Sequence, residues 1–201
     1  MPASEKGAGG TPAVPGHRGW HARGYLPHFD SAQAVQLVTF RLADSLPRHV
    51  WAELVGHPGI RSRVETMLDE GRGECLLAAP EHARSVANAL RHFDGERYGL
   101  LAWVIMPNHV HALVEQIEGY RLGDVVASWK SFTAKAINRE RRTSGAVWAP
   151  DYHDRYIRDE RHFGTAVRYV EENPVKAGLV RQAEDWEFSS AARDRGHPAR
   201  F

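Results

Sequence analysis

Hydrophobic and polar positions along the chain repeat with two periods. Residues 34–42 alternate and are rich in β-branched side chains, which predicts a first strand. Residues 98–106 are mostly apolar and 109–116 follow through a Pro107-Asn108 link, which predicts a strand pair joined by a tight turn. Residues 74–78 read as a short strand or extended segment before Pro80. Between these, apolar positions recur at helical spacing. Residues 48–56 and 61–70 predict two short helices, with Pro47 suited to the first turn of the earlier one. Ala83, Val86, Ala87, Leu90 and Phe93 predict a helix packed on a sheet, and Leu122, Val125, Val126, Trp129, Phe132, Thr133, Ala136 and Ile137 form a longer stripe.

After a turn near Gly145, an aromatic and charged segment runs from 147 to 158. Asp159 is the expected N-cap of a last helix that buries Phe163, Ala166, Val167 and Val170. Pro174 is expected to stop it, because the residue before a proline is pushed out of helical geometry, and Gly178 to permit a tight bend. Trp186 to Ser190 reads as a short terminal tie. Strand, helices, strand, helix, strand, strand, helices is the order of an α+β protein, and it predicts a ferredoxin-like antiparallel sheet with helices mainly on one face. Residues 1–22 are rich in Gly, Pro and Ala and read as a flexible tail. The folded domain is expected over 23–192, followed by a polar C-terminal tail at 193–201.

Composition narrows the class. The 201 residues suit one domain, and 42% hydrophobic with 25% charged residues is ordinary for a soluble globular protein. No apolar run reaches the length of a membrane span, and a single cysteine, Cys75, excludes an internal disulfide. Both point to the cytoplasm. The net charge of +1 gives no global field for nucleic acid, so any such affinity must come from local clusters. Lys130, Lys135 and Arg139 along the long helix are one candidate set, and Arg155 and Lys176 are two further candidate phosphate contacts.

The strongest chemical signal lies in the second strand of the pair. His109 and His111 are two apart, so on an extended strand they share one face, while Val110 and Ala112 take the other. Two imidazoles on a stiff strand make up much of a divalent-metal site. Tyr169 and Asn173 are four apart on the last helix and so stack on one face. Asn173 can lend its carbonyl oxygen as a third ligand. Mixed nitrogen and oxygen donors with open positions suit Mg²⁺ or Mn²⁺ acting on a phosphate, whereas a closed structural zinc site would want thiolates. A tyrosine beside such an ion is placed to attack the same phosphate. Tyr152 and Tyr156 are rival nucleophiles, but neither has a metal-ligand type one turn away.

The run Met106-Pro-Asn-His-Val-His-Ala-Leu-Val, with Tyr169-Val-Glu-Glu-Asn-Pro-Val-Lys-Ala-Gly-Leu-Val180, closely resembles the REP-associated tyrosine transposases of the HUH single-strand transposase group. Arg23-Gly-Tyr-Leu-Pro-His-Phe-Asp30, Trp129-Lys-Ser-Phe-Thr-Ala-Lys-Ala-Ile-Asn138 and the Trp186 to Ser190 ending support the resemblance, which extends over residues 23–191. It implies an HUH nuclease fold, His109 and His111 as the metal-binding pair, Asn173 as third ligand and Tyr169 as nucleophile. It also implies a partner, single-stranded DNA carrying a REP-type hairpin, and a reaction: cleavage through a 5′-phosphotyrosine link that frees a 3′-hydroxyl and conserves the energy needed to rejoin strands. A nucleoid-associated protein acting as monomer or homodimer is compatible with this. Where many relatives carry a histidine after the acidic residue, this chain has Arg155, so His153-Asp154-Arg155 reads as structural or DNA-facing. Two other readings remain: a catalytically inactive module that holds hairpin DNA or RNA, and a metal-dependent hydrolase that uses water.

Overall fold

A computed structural model describes residues 19–22, 27–46, 50 and 60–192. Residues 1–18 and 193–201 of the expected tails lie outside the described residues, while 19–22, expected to be part of the flexible N-terminal tail, form a strand; of the turn at Leu26-Pro27 only Pro27 is described, and of the helix expected over 48–56 only Val50.

Two short strands, β1 (Gly19–Ala22) and β2 (Pro27–Asp30), pair antiparallel with Gly19 opposite Asp30. The main sheet has four antiparallel strands: β3 (Val35–Arg41), β4 (Tyr98–Ile105), β5 (His109–Gln116) and β6 (His153–Tyr156), in the order β4-β5-β3-β6. Helix α1 (Ile60–Asp69) and helix α2 (Pro80–His92) follow β3, α3 (Leu122–Arg141) joins β5 to β6, and α4 (Glu160–Lys176) follows β6. With α2 and α3 as its crossovers, β3 to β6 is a ferredoxin-like βαββαβ unit, as the sequence predicts. Among the described residues no helix is long and apolar enough to cross a membrane.

The pleat divides the sheet between two cores. Val38, Phe40, Trp103, Ile105, Val110, Ala112 and Val114 point one way, onto Val86 and Leu90 of α2 and Val125, Val126, Trp129 and Ile137 of α3. Leu37, Ala102, Val104 and Leu113 point the other way, onto Ala166 and Val170 of α4. The expectation of helices mainly on one face therefore holds for the βαββαβ unit alone. Helix α4 covers the opposite face, because its apolar stripe needs a partner that the α2/α3 side no longer offers. The C-terminal segment ties down the β4 edge: the Ile105 N–H donates to Phe188 O (2.8 Å), the Ser190 N–H to Trp103 O (2.8 Å), and the Trp186 indole to Ile105 O (2.9 Å).

Two local expectations are corrected. Residues 74–78 do not form a strand; Leu76–Ala78 is a single 3-10 turn, entered through Cys75 in the left-handed region (φ 54°). Leu77 is buried there, and its N–H is taken by Pro107 O, so the segment serves the β4–β5 turn rather than a sheet edge. Nor does Pro174 stop the last helix. It lies inside α4, buried, and the turn beyond it is held by Ala177 N–H donating to Asn173 O and Leu179 N–H to Pro174 O, both at 2.9 Å. The chain leaves the helix at Gly178, whose φ of +71° a side chain would resist.

Candidate functional site

β5 is a central strand, and its register puts His111 opposite Thr39 of β3 and His109 opposite Arg41. Both imidazoles fall on the α4 face and both are about 1% exposed. Their orientation is set by what their inner nitrogens touch. The Asn108 amide donates through Nδ2 to Arg72 O (2.9 Å), which turns its Oδ1 toward His109 Nδ1 at 2.7 Å. His109 therefore carries its proton on Nδ1, and Nε2 keeps a lone pair. His111 Nδ1 lies 2.8 Å from the Thr39 hydroxyl, an acceptor that permits the same tautomer. The two Nε2 atoms then face each other across 3.1 Å.

Electrostatics keep the pair neutral. Burial, then the neighbouring His111, then Lys176 push His109 well below the usual imidazole value, and burial with Lys176 lowers His111 to about 3. In the tautomer that Thr39 permits, the two neutral nitrogens have converging lone pairs and repel unless a cation lies between them. Their 3.1 Å spacing matches two adjacent ligands of an octahedral ion, about 3 Å apart for bonds of about 2.1 Å. The residues fit a divalent ion.

Asn173 supports that fit. It is 1% exposed, and neither its amide oxygen nor its nitrogen has a hydrogen-bond partner of ordinary geometry, although the amide lies close enough to the Tyr169 phenol to favour its ionised form. A buried amide with both ends unsatisfied is costly in a folded protein, so the group is held for something else to meet. One turn earlier on α4, Tyr169 sets its hydroxyl 3.5 Å from His111 Nε2, with the two rings edge to face at 5.2 Å. Burial, followed by the charges of Glu65 and Asp69, raises this phenol above its usual value. It is a neutral phenol at rest and must give up its proton in any attack.

Helix α1 contributes the two groups that the sequence does not single out. Val64 and Leu68 dock it on Leu46, and this turns Glu65 and Asp69, one helical turn apart, toward the site. Asp69 Oδ2 pairs with Lys176 Nζ at 3.0 Å, and Oδ1 lies 3.9 Å from His109 Nε2. Their only signal in the sequence is a pair of carboxylates at i, i+4, a spacing common on solvated helices.

The rival tyrosines are elsewhere. Tyr152 is buried against His28, with ring centroids 4.5 Å apart, and Tyr156 leans on Phe29 at 5.1 Å. The basic candidates divide. Lys176 stands at the site, its ammonium 5.8 Å from the centre of the Tyr169 ring. Arg155 lines a cleft with Leu37, Glu65, His162 and Tyr169, between β6, α1 and α4. Lys130 is turned inward instead. Its ammonium donates to the carbonyls of Ala149 (2.6 Å) and Pro150 (2.8 Å), closing the loop before β6. Lys135 and Arg139 are exposed on α3, behind the sheet from the two histidines.

Known proteins are similar to this chain in sequence and in fold. A family model described as "Transposase IS200 like" matches residues 81–173, which include both histidines, Tyr169 and Asn173. A REP-associated tyrosine transposase of Escherichia coli (strain K12) is 31% identical over 93 residues, covering 46% of this chain and 54% of the relative. A putative REP-associated tyrosine transposase of Haemophilus influenzae is 27% identical over 106 residues, covering 47% of this chain and 59% of the relative. The match thus spans little more than half the length of either relative. Among solved structures, a REP-associated tyrosine transposase bound to a REP hairpin superposes with a TM-score of 0.56 at 21% identity, over 81% of this chain and 79% of that one, which establishes a shared fold. The resemblance read from the residues is borne out in sequence and in fold.

Proposed function

We propose that this chain is a REP-associated tyrosine transposase: a metal-dependent endonuclease and strand transferase that cuts single-stranded DNA beside a REP-type hairpin. The observation that carries the reading is the convergence of Tyr169 on the His109/His111 pair, with the phenolic oxygen 3.5 Å from His111 Nε2. A structural tyrosine has no need of two neutral imidazoles facing each other beside an unpaired buried amide.

His109, His111 and Asn173 would hold a divalent ion, Mg²⁺ or Mn²⁺, which supplies Lewis-acid polarisation of the scissile phosphate when bound. The rest falls to side chains of the chain. Asn108 fixes the tautomer of His109, and Thr39 orients His111 so that its Nε2 also faces inward. Helix α4 presents the Tyr169 oxygen to the phosphorus. The Glu65 carboxylate lines the same cleft as the phenol and is the acceptor nearest its proton. A bond forms between the phenolic oxygen and phosphorus, the bond from phosphorus to the 3′-oxygen breaks, and that oxygen takes up a proton to leave as a 3′-hydroxyl. A second 3′-hydroxyl reverses these steps and joins new ends. Arg155, in the cleft beside Tyr169, is the cation best placed to meet the incoming strand.

The test is incubation with a single-stranded REP-type hairpin oligonucleotide and Mn²⁺, followed by denaturing electrophoresis. A covalent protein–DNA band is expected that needs the metal and is lost in Tyr169→Phe. Hairpin binding that survives replacement of His109, His111 and Tyr169, with no cleavage under any metal, would show a binding module instead. Cleavage that persists without an adduct in Tyr169→Phe would show a hydrolase that uses water.

A further inference from the structure

We propose that Asp69 is a further ligand of the divalent ion, so that the set becomes two imidazoles, an amide and a carboxylate. The inference rests on the reading of His109, His111 and Asn173 given above and adds a residue from a different element to it.

Asp69 ends α1, and its side chain is 13% exposed. One oxygen is accounted for: Oδ2 takes the Lys176 ammonium at 3.0 Å. The other, Oδ1, is buried and has no hydrogen-bond partner. It lies 3.9 Å from His109 Nε2, which is 3.1 Å from His111 Nε2. Because Asn108 holds the His109 proton on Nδ1, the Nε2 atom has no hydrogen to offer that carboxylate. Two acceptor atoms, the Nε2 of His109 and the Oδ1 of Asp69, therefore face each other with no donor between them, and a cation resolves both.

A salt bridge to Lys176 alone would leave Oδ1 free to turn to solvent, yet it is packed inward. Val64 and Leu68 anchor α1 from below, so the carboxylate is delivered by a docked helix. Adding a carboxylate to two imidazoles and an amide oxygen also shifts the donor set toward hard oxygen ligands and six-coordinate ions, and away from tetrahedral zinc.

The measurement is Mn²⁺ affinity of the full DNA-free chain, followed by calorimetry and by loss of the free-Mn²⁺ EPR signal. Asp69→Asn is expected to bind about 10- to 100-fold more weakly than the unaltered chain. Asp69→Glu, which keeps the carboxylate, should recover most of that loss, and Glu70→Gln, at the exposed carboxylate next in the chain, should bind as the unaltered chain does. Metal-free melting curves show whether each variant is folded; were Asp69→Asn unfolded, Asp69→Ser would carry the same expectation. Binding by Asp69→Asn within threefold of the unaltered chain, with His109→Ala/His111→Ala abolishing it in both, would overturn the role of Asp69 alone. No Mn²⁺ binding by the unaltered chain, or binding indifferent to both histidines, would overturn the reading of the site together with it.

Discussion

The phenolic oxygen of Tyr169 lies 3.5 Å from Nε2 of His111, though 58 positions separate them in the chain. Two elements of different kinds make this contact. A central strand fixes the imidazole, and a helix outside the βαββαβ unit brings the tyrosine to the sheet face that α2 and α3 leave open. Tyr169 and the histidines thus stand on different elements that meet through one apolar seam, formed by Leu37, Ala102, Val104 and Leu113 against Ala166 and Val170. Chemistry at the site depends on that seam holding its register.

The buried histidines have a cost that shows in acid. Burial, with Lys176, lowers His111 to about 3, below its unfolded value of about 6.5. The unfolded chain accepts a proton that the native state refuses, so native stability is lost as pH falls from about 6.5 toward 3. At pH 5 the loss from His111 alone is on the order of 2 kcal/mol. Urea unfolding of the metal-free protein at pH 7.5 and pH 5 should show it, and His111→Gln should narrow the difference between the two. An equal pH response in both proteins would mean that His111 titrates normally.

Helix α4 begins with a cap that can be tested apart from the chemistry. The Asp159 carboxylate accepts the His162 N–H at 2.8 Å, meeting one of the unpaired donors of the first turn. Asp159→Ala is expected to lower stability by about 1 kcal/mol in urea unfolding. Mn²⁺ affinity should be nearly unchanged, because Asn173 lies more than three turns further on. A loss of metal affinity as large as that expected for Asp69→Asn would show that the helix start controls the site.

Much of this is legible in the residues. The period of two puts His109 and His111 together whatever the rest of the chain does, and four residues of helix do the same for Tyr169 and Asn173. The Asp159 cap, the bend at Gly178 and the Trp186 to Ser190 tie follow from equally local rules. What cannot be read depends on how elements pack. Glu65 and Asp69 look like any solvated i, i+4 pair until Val64 and Leu68 show which side of α1 is down. A local rule ends α4 at Pro174, but burial of Asn173 and Pro174 in the tertiary contact carries the helix one more turn. Lys130 looks like a phosphate contact because a sequence shows charge and conceals the carbonyls that the charge satisfies.

That last point gives a contrast between two cations. Lys130→Met removes a donor from the carbonyls of Ala149 and Pro150 and is expected to cost about 1–3 kcal/mol of stability. It should leave the salt dependence of hairpin binding unchanged. Arg155→Ala, in the cleft beside Tyr169, should leave stability within about 0.5 kcal/mol and lower the slope of log K against log salt by about 1. Fluorescence anisotropy across a salt series, with melting curves on the same samples, separates the two. The reverse pattern would move the DNA path to the α3 side of the sheet.

The basic limb of the stability profile should depend on another histidine, one apart from His109 and His111. Asp154 accepts from His28 Nδ1, from the Phe29 N–H (3.1 Å) and from Gln36 Nε2 (2.9 Å), and Gln36 Nε2 also donates to Phe29 O at 2.8 Å. This network ties β2 to β3 and β6, and it makes Asp154 a structural residue. Burial alone would lower His28, but hydrogen bonds and charge from Asp151 and Asp154 outweigh it and raise the imidazole to about 9. Its folded value is thus above its unfolded value of about 6.5. The stabilisation is fully present below about pH 6.5 and is lost as pH rises through 9; its ceiling is on the order of 3 kcal/mol. Urea unfolding between pH 6.5 and 9.5 should reveal the decline. Asp154→Asn should cost about 3–5 kcal/mol near neutrality, because it leaves a buried imidazolium short of its partner, and should flatten the decline, with Asp151 at 3.4 Å sustaining part of it. A variant that keeps the full pH response would assign the response to Asp151 instead.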